Sequence, residues 1–491
     1  MFLSRLIYIF TIFIVEIVVA KNGSSQHFPE NFLFGVSSSA YQIEGGWDSD
    51  GKGPSIWDEF THLHPEKIVD RQNGDVGANS YEYYLDDVEA VKSLNMNFYR
   101  FSISWTRILP TGDLTQVNEK GIEYYNKIIN KLIEYKIEPM VTMYHFDLPA
   151  HLQLLGGFAN SAIVQYFEEY ANLLFNRFGD RVKYWITINE AAEFCVKGYG
   201  GKIHAPGINA HGKGEYLCVH NALKSHAVAY HLYKREYYNQ YKGQVGIALD
   251  SSFFYSDSND TVVVNREMQF TLGWIAHPIF SSDGDYPAVM IDRIANHSKA
   301  EGRLVSRLPT FSNHWKRTIQ GTSDFFGLNY YTSRYIRESL EPIGENPSVA
   351  RDRGNERFTK PEWIKGASDW LYSVPKGLGD LLRWIKAEYN NPEVIITENG
   401  WSDDDRLEDD SRVTYFHDHL EQVLDVILNN GCNVKAFSVW SLVDNFEWSQ
   451  GYTEKFGMFF VNMSSPRKER IPKKSAYFME ELIKKRSIPG I

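Results

Sequence analysis

Cysteine is scarce in this chain: three residues, Cys195, Cys218 and Cys432, in 491. That excludes a small disulfide-stapled scaffold. At most one pair with one thiol left over is available, and three buried free thiols is the expectation. Glycine (36) and proline (18) are too few for a collagen-like or low-complexity chain. Positive charge is in deficit, with 51 Lys and Arg against 62 Asp and Glu and a net charge of −11. A chain of that sign gains nothing from phosphate backbones or anionic lipid, which argues against nucleic-acid and membrane-surface partners. Neither G-x-G-x-x-G nor G-x-x-x-x-G-K-[ST] occurs, so no dinucleotide or P-loop site is signalled. After the first 20 residues no apolar run reaches spanning length.

Apolar residues are nonetheless plentiful, at 43%, with 15% aromatic, enough to rule out a disordered chain. Residues 1–20 carry Arg5, then an apolar run from Leu6 to Val19 interrupted by Glu16, then Val18 and Ala20 at a cleavage-like site. We read this as a signal peptide, leaving a secreted domain from 21 to 491 with no membrane association after cleavage. Asn22, Asn259, Asn296 and Asn462 head N-x-[ST] triplets and are the candidate glycosylation sites.

Apolar strand-like runs alternate with helix-like runs along the rest of the chain. Strand candidates are Phe32 to Val36, Asn97 to Ser104, Pro139 to Tyr144, Tyr184 to Thr187, Val245 to Leu249, Phe325 to Leu328, Val394 to Thr397 and Ala436 to Trp440. Residues 118–134 place Ile122, Tyr125, Ile129, Leu132 and Ile133 on one helical face, and residues 161–178 do so with Val164, Phe167, Tyr170, Leu174 and Phe178. Helices are expected over 376–389 and 411–428 as well. Eight such strands predict an α/β fold, a single-domain (β/α)8 TIM barrel with long βα loops, in preference to an open doubly wound sheet.

Catalytic groups in such a barrel sit at the C-terminal strand ends. There the fourth strand runs into Asn189-Glu190 and the seventh into Glu398-Asn399-Gly400; His145, Trp440, Glu447 and Trp448 share the rim. Two carboxyls flanking one sugar ring are what glycoside cleavage needs. A single strand-end glutamate reads as a salt-bridged rim residue; two beside asparagines on opposite strands read as function.

These residues resemble a known family. Thr187-Ile-Asn-Glu190 and Ile396-Thr-Glu-Asn-Gly400 are similar to the two signatures of the glycoside hydrolase family 1 β-glucosidases, animal members in particular. Phe32 to Gly45, Tyr99 to Trp105, His145 to Pro149, Leu328 to Tyr331 and Trp440 to Trp448 match in order. The resemblance implies Glu190 as acid/base and Glu398 as nucleophile of a retaining β-glucosidase, with carboxyls ~5–5.5 Å apart. It implies Arg100, Tyr331 and Asn329 as support for the nucleophile. Gln42, His145, Asn189, Glu447 and Trp448 would bind sugar hydroxyls, with Trp440 as the stacking platform. Glu447 also implies an unphosphorylated glucose, fucose or galactose unit. On the aglycone side we place Ala192, Lys197, Arg334 and Trp363; the two cations raise a second reading, a thioglucosidase acting on sulfated glucosinolates. A non-catalytic sugar- or hormone-binding barrel and a transglucosidase stay open beside it. The partner expected is a small β-glucoside or oligosaccharide; monomer and homodimer stay open.

No cofactor and no metal are expected. His62 with His64, and His417 with His419, lack a third ligand in the sequence, and the acidic run over 403–410 reads as a solvated loop.

Overall fold

The computed structural model describes residues 27–339 and 346–491. The expected signal peptide and Asn22 lie outside the described residues. Eight strands form one closed parallel barrel: β1 (Leu33–Ser37), β2 (Phe98–Ser102), β3 (Glu138–Tyr144), β4 (Tyr184–Asn189), β5 (Gln244–Asp250), β6 (Phe326–Asn329), β7 (Val394–Asn399) and β8 (Val434–Trp440). Each pairs with the next in the chain, and β1 closes on β8 with Leu33 opposite Ala436. All eight expected strands are present and no edge is left unpaired.

Large side chains fill the barrel floor. Phe98, Met140, Ile186, Ala248, Phe325, Ile395 and Ala436 form a separate buried cluster inside it. Glycine stands where that filling needs room: a Cβ on Gly35 would lie 2.3 Å from the Phe98 ring. The helices pack outside. Residues Glu119–Glu134 bury Ile122, Tyr125, Ile129 and Leu132, but Ile133 turns outward and is 41% exposed, off the expected face. Helices Ile163–Phe178, Pro375–Glu388 and Asp410–Asn430 lie where expected. Among the described residues, no helix is long and apolar enough to cross a membrane.

The βα loops build further structure at the mouth. Phe254–Ser256, Arg334–Glu338 and Asn355–Phe358 form a three-stranded side sheet after β5 and β6. Buried Glu267 anchors it, accepting from Arg357 Nε at 2.5 Å and Asn355 Nδ2 at 2.8 Å and pairing with Arg353 Nε at 3.0 Å. At the opposite end of the barrel, His27 bridges Ser487 and Phe28 N donates to Arg486 O at 2.8 Å.

Two expectations are overturned here. Cys195 and Cys218 are not free thiols: they form a disulfide with Cα atoms 5.6 Å apart, stapling the segment after β4 to the long helix Gly214–Leu232. Only Cys432 is a buried thiol among the described residues. The acidic run over 403–410 is not simply solvated either. Asp403 and Asp409 are buried and hold Arg412, at 2.8 Å and 2.5 Å, because a fully buried guanidinium needs that compensation.

Candidate active site

The sequence places both key glutamates immediately after irregularities in their strands. The β4–β5 register shifts between Ile186 and Asn189, and the β7–β6 register between Ile396 and Glu398. Such bulges re-aim side chains at a barrel rim. Glu190 itself takes φ of 46°, in the left-handed region, where β4 turns into the helix Ala191–Phe194. Gly400 lets β7 end against β8; a Cβ there would lie 2.1 Å from Trp440 O.

Arg100, fully buried at the heart of the rim, ties four strands together. It donates through Nη1 to Glu398 Oε1 at 2.5 Å and to Thr397 O at 3.1 Å, through Nη2 to Asn189 Oδ1 at 2.6 Å and through Nε to Thr142 Oγ1 at 3.1 Å. Tyr331 OH donates to the other oxygen of Glu398 at 2.6 Å. Glu398 is therefore an acceptor at both oxygens. Asn329 Nδ2 donates to Glu190 Oε1 at 2.6 Å and to Asn189 Oδ1 at 3.1 Å, while its own Oδ1 accepts from Thr397 Oγ1 at 2.6 Å. One polar network thus positions both carboxyls.

Their electrostatics differ. Burial pushes the Glu190 carboxyl well above the usual carboxylate range, and the charges of Glu398, Asp250 and Glu193 push it the same way; the Asn329 hydrogen bond opposes them. Glu190 is thus held as a proton donor beside an acceptor. His145 is kept neutral by burial and by the Arg100 charge. Asn189 Nδ2 lies 3.2 Å from its Nε2. Trp440 and Trp448 stack on the same imidazole, with centroids 5.6 Å and 5.9 Å away.

Glu190, Glu398, His145, Trp440, Glu447, Trp448, Asn329 and Tyr331 line one cavity of about 370 Å³. Gln42, Asn189 and Arg100 are buried behind its wall; Gln42 Nε2 donates to Phe446 O and Asn445 Oδ1, both at 2.9 Å, and to Glu447 Oε2 at 3.3 Å. Burial, then the charges of Glu454 and Glu398, raises the Glu447 carboxyl well above its ordinary range.

The aglycone-side expectations divide. Lys197 and Arg334 reach the cavity. Lys197 is ion-paired with Glu193, one turn earlier. Arg334 donates to Ser333 O at 2.7 Å, to Thr332 Oγ1 at 3.0 Å and to Trp370 O. Ala192 and Trp363 are not on the cavity wall. Trp363 packs against Tyr335 of the side sheet, at 5.6 Å between centroids, and Trp370 lines the mouth instead, beside Tyr331 and Phe456. Sequence reasoning also missed Asp250, Glu193, His204 and Glu454. Asp250 carried a signal: β5, like β4 and β7, runs into a carboxylate. His204 and Glu454 sit in irregular loops, and Glu193 in the four-residue helix Ala191–Phe194, too short for a periodicity to mark it.

As for metal, His62 pairs with Asp75 at 2.8 Å and His64 with Glu66 at 3.4 Å. Buried His419 is bonded through Nδ1 to Tyr415 O at 2.7 Å, but the fold supplies His417 with Asp418 and Glu421, ligand atoms within 4.8 Å, none of which lines the cavity.

Comparison with known proteins agrees with this geometry. The family model described as glycosyl hydrolase family 1 matches residues 24–488. Myrosinase 1 of Brevicoryne brassicae is 42% identical over 93% of this chain and 98% of its own length. The human cytosolic β-glucosidase is 42% identical, again over 93% and 98%. Among solved structures, an aphid myrosinase superposes with a TM-score of 0.89 at 41% identity, covering 93% of this chain and 99% of that one. A rice β-glucosidase, Os3BGlu6, superposes at 0.88 and 38% identity over 93% and 98%. The chain belongs to glycosyl hydrolase family 1 and is a glycoside hydrolase.

Proposed function

We propose that this enzyme hydrolyses terminal β-D-glucosides with retention of configuration, Glu398 acting as nucleophile and Glu190 as acid/base. The observation that carries the assignment is the asymmetry of the pair: Glu398 accepts from Arg100 and Tyr331 at both oxygens, while burial and neighbouring charge keep the proton on Glu190. Glu398 attacks the anomeric carbon as the C1–O bond breaks, and the Glu190 proton goes to the departing oxygen. Forming the ester removes the Glu398 charge, which lowers the Glu190 pKa. Water then attacks C1, Glu190 takes its proton, and Glu398 leaves as the carboxylate. Asn189 meets the sugar 2-OH. His145, Gln42, Glu447 and Trp448 meet the other hydroxyls, and Trp440 offers its face to the ring. The test is glucose release from an aryl β-glucoside by wild type and Glu398→Gln. Full turnover by the variant sinks the assignment.

A second reading, cleavage of S-glucosides with an anionic aglycone, is favoured by one observation. Among the described residues no carboxylate pairs with the Arg334 guanidinium in the cavity. Lys197 lends it less support, since Glu193 already neutralises it. Parallel assays on matched O- and S-linked glucosides separate the two: an inert S-glucoside returns Arg334 to a structural role, a preferred one makes Arg334→Gln the next variant.

We also read the protein as secreted and glycosylated, with residues 1–20 removed. The Cys195–Cys218 disulfide supports an oxidising compartment. Asn259 and Asn296 are exposed and Asn462 half-buried, with Asn259 closing a turn through its N–H to Ser256 O at 3.2 Å. Mass spectrometry of the protein from an animal cell line, before and after N-glycan removal, is the check. A start other than Lys21, or no mass change, contradicts this.

A further inference from the structure

Arg100 and Asn329 stand on paired barrel strands, so the ladder fixes their backbones. Tyr331, which shares the work of holding Glu398, has no ladder. It lies in irregular chain between β6 and the side-sheet strand Arg334–Glu338, half-buried on the cavity wall. Among the described residues it makes two hydrogen bonds. Its hydroxyl donates to Glu398 Oε2 at 2.6 Å, and its carbonyl accepts from Tyr415 OH, also at 2.6 Å. The polar anchor that keeps Tyr331 in place is therefore Tyr415.

Tyr415 comes from outside the barrel, on the helix Asp410–Asn430, and is buried. Trp401 stacks on its ring with centroids 5.0 Å apart. His419, one turn later, lies at 3.8 Å and is bonded through Nδ1 to Tyr415 O at 2.7 Å. The Tyr415 hydroxyl also accepts from Asn399 Nδ2 at 3.0 Å. Asn399 Nδ2 donates to Tyr330 O as well, at 2.8 Å, and Tyr330 N donates to Glu398 O at 3.0 Å. A closed circuit results. It runs from the Glu398 carboxyl to the Tyr331 hydroxyl, along Tyr331 to its carbonyl, across to Tyr415, and back through Asn399, the residue after Glu398. Donation by Asn399 polarises the Tyr415 O–H toward Tyr331, the cooperative arrangement of hydrogen bonds in series.

We propose that Tyr415 is a positioning residue for the nucleophile: by pinning the Tyr331 carbonyl from the outer helix, it holds the Tyr331 hydroxyl on Glu398 and so sets the angle at which Glu398 meets the anomeric carbon. This rests on the β-glucosidase reading, with Glu398 as nucleophile. Tyr415 does not touch the sugar; neither it nor Asn399 lines the cavity. Its influence reaches the reaction through Tyr331 alone. Without the pin, the loop carrying Tyr331 gains freedom, and its hydroxyl no longer arrives at one fixed place. Small displacements of a reacting group are costly because the bound geometry must already be close to that of attack.

The test is a double-mutant cycle on an aryl β-glucoside, with kcat and KM measured for wild type, Tyr415→Phe, Tyr331→Phe and the double variant. Tyr415→Phe keeps the buried ring and removes the pin. It should lose kcat on the order of tenfold, with KM changed by less than about twofold, since no sugar contact is removed. In the Tyr331→Phe background there is no hydroxyl left to aim, so the same substitution should change kcat by less than about twofold. A purely structural role would lower kcat equally in both backgrounds, and that result overturns the inference. So does a Tyr415→Phe variant that melts lower but keeps wild-type kcat, or a Tyr331→Phe variant that keeps it. If wild type releases no glucose, or Glu398→Gln retains full turnover, the β-glucosidase reading falls and this inference with it.

Discussion

Arg100 is the residue on which the rim depends. Its planar fork reaches β3, β4 and β7 at once, and lysine could not reproduce that set of directions. Arg100→Lys should therefore lose far more kcat than its conserved charge suggests, on the order of 100-fold, read in steady-state assays on an aryl glucoside. Glu398→Gln should lose on the order of 10⁵-fold in kcat, as nucleophile substitutions do. A pH profile isolates the other carboxyl. Glu190 is needed protonated in the free enzyme, so the alkaline limb of kcat/KM reports it. Its pKa is raised by burial and then by the negative charges of Glu398, Asp250 and Glu193. Glu193→Gln removes one of those charges and unpairs the Lys197 cation. Both changes favour ionised Glu190, so the alkaline limb should move to lower pH; an unmoved or raised limb contradicts the arrangement.

Among the elements, the segment after β4 is the one held covalently. Its disulfide closes a loop of 23 residues in sequence separation. Chain-entropy arguments give such a closure about 3 kcal/mol, so the double variant Cys195→Ser/Cys218→Ser should melt several degrees lower by calorimetry. The side sheet depends instead on Glu267, buried among Arg353, Arg357 and Asn355. Leaving those cations uncompensated in Glu267→Ala should cost about 3–5 kcal/mol, seen as a lower denaturant midpoint. The elements also show where sequence reading works. The eight strands were legible because each is a short apolar run, and Glu190 and Glu398 because a carboxylate ends such a run. The helix Gly214–Leu232 was not. It buries Cys218, Ala222, Ser225, His226 and Ala229 together, and small and polar residues on a buried helix leave no apolar stripe to follow. Asp250 directly follows the apolar run ending at Leu249 but lacks the neighbouring asparagine that singles out Glu190 and Glu398. Trp363 was expected at the mouth and Trp370 was passed over because loop residues take their place from tertiary packing, which periodicity does not encode.

For the molecule as a whole, several buried carboxyls set the response to pH. Both oxygens of Asp147 are buried without a hydrogen bond, and burial, then the Glu44 charge, raises its carboxyl to about 7. Asp250 stands at the same value, and Glu190 and Glu447 are raised too. A carboxyl raised on folding binds more protons in the native state than in the unfolded one, so its contribution is complete below about pH 4 and is lost as pH rises toward 7. The protein should melt at a higher temperature at pH 5.5 than at pH 8. Asp147→Asn, which abolishes one such titration, should narrow that difference; a wild type more stable at pH 8 would contradict the assignment of these groups. The barrel has one further consequence, from the pairing of His27 with Ser487 and of Phe28 with Arg486 beneath the strands. Both ends of the described fold emerge at the base, a barrel's length from the cavity. A bead, a surface or a fused protein attached beyond either end would therefore leave the mouth pointing outward, and immobilised catalyst should keep its affinity for bulky soluble glycosides.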